Sequence, residues 1–123
     1  MSNIIVVDDD PTFSGLLRTV LEFEGYQVLL VPTPGDVVPR VRETKPVLVL
    51  MDVHAEQGDT LGVLRDLRKD ENLKDVLVVM TSGMDRSAEC LEAGADEFLL
   101  KPFRPDELTT LIGDLIGKRD AGA

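Results

Sequence analysis

Acidic residues of this 123-residue chain gather where apolar runs end, and that is where chemistry is expected. Asp8-Asp9-Asp10 follows Ile4-Ile5-Val6-Val7, and Asp52 follows Leu48-Val49-Leu50-Met51. Thr81-Ser82 follows Val76 to Met80, and Lys101-Pro102 follows Phe98 to Leu100. If these runs are neighbouring strands of one parallel sheet, all four clusters fall on the same rim. Like charges a few ångströms apart cannot all ionise freely without a cation. Carboxylate oxygens suit a hard cation such as Mg²⁺, commonly held by one or two carboxylates together with phosphate oxygens. A lysine and a hydroxyl on that rim can stabilise the negative oxygens of a transferring phosphoryl group. A carboxylate can accept that group as an acyl phosphate, and Asp52, at the end of the central apolar run, is the candidate nucleophile.

The elements that would position these groups are legible in the hydropathy pattern. Five short runs, Ile4 to Val7, Gln27 to Val31, Val47 to Met51, Val76 to Met80 and Phe98 to Leu100, are continuous in apolar character. Continuous runs suit strands covered on both faces, as in a parallel sheet. Between them lie helical spacings, clearest in Phe13, Leu16, Leu17, Val20 and Leu21 and again in Leu108, Leu111, Ile112, Leu115 and Ile116. A third helix is predicted over about Thr60 to Lys69, with Leu61, Leu64 and Leu67 inward, and a short fourth over about Asp85 to Ala93.

Pro11 and Pro105 mark helix starts, with Asp10 as an N-cap. Gly25, Gly94 and Gly117 are expected as left-handed helix stops. Pro39 requires the second helix, within Pro34 to Thr44, to begin late or kink. The order βαβαβαβαβα with right-handed crossovers gives an α/β fold, a doubly wound (βα)5 sandwich around a five-stranded parallel sheet. Ligands in such sheets sit beyond the carboxyl ends of the strands.

Composition bounds the alternatives. Thirteen Lys and Arg against 23 Asp and Glu leave a formal charge of -10, which disfavours direct nucleic-acid binding and anionic membranes. No apolar run is long enough to span a bilayer, and the N-terminus lacks a secretory n-region, so a cytoplasmic location is expected. One domain is expected over residues 1–118, with 119–123 as a short tail. The lone Cys90 has no spacing of metal ligands around it and is expected to be a small helix residue without a chemical role.

Four segments then carry a resemblance: Ile4 to Pro11 (IIVVDDDP), Val49 to Asp52 (VLMD), Val78 to Ser82 (VVMTS) and Ala93 to Phe103 (AGADEFLLKPF). In order and spacing the chain resembles the receiver domains of two-component response regulators. The resemblance implies the flavodoxin-like strand order 2-1-3-4-5. It implies that Asp8 and Asp9 hold Mg²⁺, with Asp9 the direct ligand, and that Asp52 is phosphorylated and also binds the metal. It implies that His54 offers a backbone carbonyl to the metal, and that Thr81 and Lys101 bind the phosphoryl oxygens. Phe98 falls at the switch aromatic, and the Lys101-Pro102 bond is implied to be cis. Implied partners are a sensor histidine kinase or phosphotransfer protein and a downstream effector protein. The chain would act as a switch rather than an enzyme, with self-phosphorylation and autodephosphorylation chemistry of its own.

The chain departs from the family pattern after Asp52, where Glu56 stands at the usual Pro and Thr60 at the usual Gly, so a loop of different shape is expected over residues 54–60. The segment from Thr81 to Lys101 is about two residues short, which trims the fourth helix or its leading loop. Two other functions are weighed against the switch. A degenerate receiver binding partners without phosphorylation would have no need of Asp9, Asp52, Thr81 and Lys101. A phosphohydrolase using an aspartate nucleophile would carry its two acids two residues apart after the first strand, whereas Asp8 and Asp9 are adjacent.

Overall fold

A computed structural model describes residues 2–55 and 58–121. Its central sheet contains β1 (Asn3–Val7), β2 (Gln27–Leu30), β3 (Leu48–Asp52), β6 (Leu77–Ser82) and β7 (Glu97–Leu100), and a separate short ladder pairs β4 (His54–Ala55) with β5 (Gly58–Asp59). The five long strands are all parallel in the order β2-β1-β3-β6-β7, which is 2-1-3-4-5 among themselves. This is the doubly wound, flavodoxin-like arrangement.

The continuous apolar runs are explained by the two faces of this sheet. Ile5, Val7, Val49, Met51, Val78 and Met80 point to one face, where Val41, Leu61, Leu64, Leu67 and Cys90 cover them. Ile4, Val6, Leu48, Leu50, Leu77 and Val79 point to the other, covered by Leu17, Leu21, Leu108 and Ile112. Alternate side chains therefore enter different cores, and neither set faces water. Each such fully buried Leu, Ile or Val contributes about 1.5–3 kcal/mol of transfer free energy.

The helices are α1 (Pro11–Phe23), α2 (Val37–Thr44), α3 (Leu61–Lys69), α4 (Ser87–Glu92) and α5 (Pro105–Ala121). Asp10 caps α1, its Oδ1 accepting the N–H groups of Thr12 and Phe13 at 3.0 and 3.2 Å. A 3₁₀ turn, Pro34–Asp36, precedes α2, so Pro39 is the third residue of the helix and its missing N–H is one that no intrahelical acceptor needs. The late start answers the conflict that Pro39 posed.

Gly25 and Gly94 adopt φ of 97° and 112°, as left-handed stops require. The N–H groups after them, on Tyr26 and Ala95, reach back to the carbonyls of Leu21 and Cys90. Gly117 does not stop α5. The helix continues to Ala121, with Lys118 and Arg119 favourably placed against its negative C-terminal end and Arg119 Nη1 donating to the Val47 carbonyl at 3.3 Å. The fourth helix is six residues long, in keeping with the short segment around it. Among the described residues no helix is long and apolar enough to cross a membrane.

Candidate functional site

Register brings the predicted residues to one rim. Asp52 lies directly across from Thr81 in the β3–β6 ladder, and Met51 across from Val7, the last residue before Asp8. Lys101 follows β7, whose Leu99 pairs with Thr81. Asp52 and Thr81 continue the strands beyond the last apolar residues, because backbone pairing in the centre of a sheet does not end where the hydropathy does.

Lys101 organises the rim. Its ammonium donates to Asp52 Oδ2 at 2.8 Å and to Asp8 Oδ2 at 3.0 Å, although the three residues are 49 and 93 positions apart in the chain. Burial by itself would lower the Lys101 pKa, but hydrogen bonds to Asp52 and Asp8 and their charges outweigh it, so the ammonium is held above the ordinary lysine value. The carboxylates are held in turn. Asp8 Oδ1 accepts the Asp10 N–H at 2.9 Å, and Asp52 Oδ1 accepts the His54 N–H at 3.1 Å. The Lys101-Pro102 peptide bond is cis, as the resemblance implied.

Asp9 lies exposed next to Asp8 in the chain. Asp8 and Asp52 present carboxylate oxygens side by side at the rim, donors that suit a divalent hard cation. Among the described residues, however, no group of three Asp, Glu, His or Cys side chains is drawn together as a ready-made metal cluster. The Lys101 ammonium holds the space between two of the three acids.

Thr81 and Ser82 are buried, and the Ser82 hydroxyl accepts the Met84 N–H at 3.2 Å. Phe98 is partly buried against the α2–α4 core. Cys90 is fully buried there, and burial pushes its thiol pKa up, so it is an inert core residue. In the loop after Asp52, His54 pairs with Asp59 and Ala55 with Gly58 in an antiparallel ladder. Glu56 and Gln57 lie outside the described residues. Thr60, at the position where the family has glycine, is buried and its hydroxyl donates to the Asp52 carbonyl at 2.7 Å, so it fastens the end of β3.

Two residues at the site were not singled out from sequence. Arg86, just before α4, ties the β4–β5 ladder that follows Asp52 to α4: Nη2 donates to Asp59 Oδ2 at 2.9 Å and to Glu89 Oε2 at 2.8 Å, and Nη1 lies 3.4 Å from His54 Nε2. Bonds from Glu89 and Asp59 raise its pKa further above the usual arginine value. Phe13 was legible only as an apolar helix residue, yet its ring faces Lys101 Nζ at 4.4 Å from the centroid. Arg86 and Glu89 are a local pair three residues apart, but the Arg86–Asp59 and Phe13–Lys101 pairings have no local sequence signal, since each joins residues from distant segments.

Known proteins share this sequence pattern and fold. Residues 4–113 match the family model described as the response regulator receiver domain. The DNA-binding response regulator MtrA of Mycolicibacterium smegmatis is 34% identical over 109 residues, which cover 89% of this chain and 48% of that protein. The chain thus spans about half the length of the curated relatives it matches. A CheY-like response regulator receiver domain protein from Methanospirillum hungatei superposes with a TM-score of 0.90 at 26% identity, covering 100% of this chain and 99% of that one. The signal receiver domain of a signal transduction histidine kinase from Syntrophus aciditrophicus gives 0.87 at 27% identity, with 96% and 92% covered.

Proposed function

Because this chain belongs to the response regulator receiver domain family of two-component systems, we propose that it is a phosphoacceptor switch charged on Asp52. The donor would be a sensor histidine kinase or a phosphotransfer protein, and the output a changed affinity for a downstream effector protein. The observation that carries this reading is the Lys101 ammonium bridging Asp8 and Asp52, with Thr81 across the ladder from Asp52.

In the transfer step an Asp52 carboxylate oxygen attacks the donor phosphorus. The new O–P bond forms as the bond from phosphorus to the donor nitrogen breaks, and that nitrogen keeps the electron pair. Lys101 is already bonded to the attacking carboxylate, so its ammonium has only to extend to the new phosphoryl oxygens while Asp8 retains it. The Thr81 hydroxyl is the second donor to those oxygens, and Phe98, whose neighbour Leu99 pairs with Thr81, is the aromatic that reports the change. Asp8, Asp9, Asp52 and the His54 carbonyl would hold Mg²⁺, which supplies neutralisation of phosphoryl charge. The phosphoryl group stays on the chain until water removes it, which makes this a stoichiometric switch and not a turnover catalyst. The negative charge of -10 favours protein partners over direct nucleic-acid contact for the residues given.

Intact-mass measurement after incubation with Mg²⁺ and acetyl phosphate tests the reading. The parent should gain one labile phosphoryl group and Asp52→Asn none. A parent that stays unlabelled at saturating donor refutes the assignment.

A further inference from the structure

We infer that Phe13 is a positioning residue for Lys101, its ring face anchoring the ammonium beside Asp8 and Asp52. The inference rests on the phosphoacceptor reading for its consequence, but not for its geometry. Phe13 sits in the first turn of α1, where Asp10 Oδ1 accepts its backbone N–H at 3.2 Å, so the ring leaves a capped and therefore fixed helix end. Lys101 Nζ lies 4.4 Å from the ring centroid, well inside the range at which a cation is attracted by an aromatic face. Phe103, two residues beyond the lysine, meets Phe13 edge to face, with centroids 5.8 Å apart and planes at 69°. The lysine side chain is only 23% exposed.

An ammonium has three N–H donors. Two go to Asp8 and Asp52, and the aromatic face takes up a remaining side of the cation that would otherwise lose water without compensation. The ring differs from the carboxylates in one respect that matters for a switch: it is neutral. When Asp52 is phosphorylated, or when the acids take up another cation, the pull of the carboxylates on Lys101 falls. The pull of the ring does not, so Phe13 keeps the ammonium within reach of the new phosphoryl oxygens through the change of state.

The test separates attraction by the π face from apolar packing. Phe13 is replaced by Leu, by Tyr and by a series of increasingly fluorinated phenylalanines, which drain the ring face of negative potential with little change in shape. Two quantities are read: the mobility of the Lys101 ε-methylene by carbon-13 relaxation in metal-free protein at fixed pH, and the rate and lifetime of Asp52 labelling by acetyl phosphate with Mg²⁺. We expect Phe13→Leu to free the ε-methylene and to cut labelling rate or phosphoryl lifetime about two- to fivefold, the factor a cation–π contact is worth. Tyr should restore both, and fluorination should erode both stepwise. Leu indistinguishable from the parent in both readouts, or a fluorine series without trend, overturns the inference. Should the parent itself resist labelling, the phosphoacceptor reading fails while the Lys101 mobility still decides whether the ring holds the ammonium.

Discussion

Replacing Lys101 by Met keeps the stem and removes the charge, which leaves Asp8 and Asp52 facing each other. Both Oδ2 atoms lie within hydrogen-bond distance of one nitrogen, at 3.0 and 2.8 Å, so they are no more than about 6 Å apart. At that separation and an effective dielectric of about 20, two negative charges repel by about 3 kcal/mol. Solvent screens them little, since the Asp8 side chain is 4% exposed and that of Asp52 14%. Rotation of Asp52 toward water relieves part of this, and the expected loss of stability at pH 7.5 is about 2 kcal/mol. The sign of the pH dependence follows from the cause. In the variant a proton does what the ammonium did, so its native state takes up more protons than its unfolded state as pH falls, and its stability recovers relative to the parent. Urea denaturation followed by circular dichroism, in EDTA at low salt and at pH 7.5 and 4.5, should show the gap narrowing on acidification. Millimolar Mg²⁺ at pH 7.5 should narrow it too. A gap independent of pH, or a variant more stable than the parent at pH 7.5, would refute the picture of two acids held together by one cation.

Arg86→Gln should release the carboxyls that Arg86 holds below the ordinary carboxylate range. For Glu89 the Arg86 hydrogen bond is the leading cause, whereas burial opposes the lowering at Asp59 and the Leu61 N–H also supports it. Glu89 should therefore move up the more, although Arg65 still holds it down slightly, and Asp59 in part, as read by carboxyl carbon-13 titration; an unmoved Glu89 contradicts the Arg86 bonds. Stability from such depressed groups is present above the unfolded carboxylate value and lost as pH falls through the folded one, so the variant should be less steeply destabilised by acid. Gly94→Ala forces a side chain onto φ of 112° and places its Cβ 2.7 Å from Arg68 Cγ. Arg68 cannot simply swing away, because its guanidinium bonds the Gly94, Lys74 and Val76 carbonyls and Asp96. A loss of about 2 kcal/mol in urea unfolding is expected, and a loss under about 0.5 kcal/mol would show that the staple yields.

What was legible in the sequence divides along a physical line. Strand and helix positions follow from burial on two faces, and burial writes itself into every element through periodicity; β1, β3 and β6 were readable for that reason, as were the caps at Asp10, Gly25 and Gly94. The stop expected at Gly117 failed because glycine permits a left-handed turn without requiring one, and α5 gains by continuing to where Arg119 meets the Val47 carbonyl. The β4–β5 ladder was invisible because two-residue strands have no period. At the rim, Asp8, Asp52, Thr81 and Lys101 were readable because each lies at or just beyond the carboxyl end of a strand, and parallel topology sends all such ends to one side. Arg86 and Phe13 end no strand. Phe13 reaches the rim from the first helix and Arg86 from just before the fourth, and their partners Lys101 and Asp59 are chosen by packing between segments that sequence spacing does not relate.

That division bears on how the proposed switch would be built. The strand ends determine which groups meet: Lys101 with Asp8 and Asp52, and Asp52 with Thr81. The contact of Lys101 with an aromatic face, and the link from the His54–Asp59 ladder to α4, depend instead on Phe13 and Arg86. On the proposed reading, a domain with the same four strand-end residues but an aliphatic side chain in place of Phe13 and no cation in place of Arg86 would keep the acceptor chemistry and differ in how long the charged state lasts and in how far its effect travels.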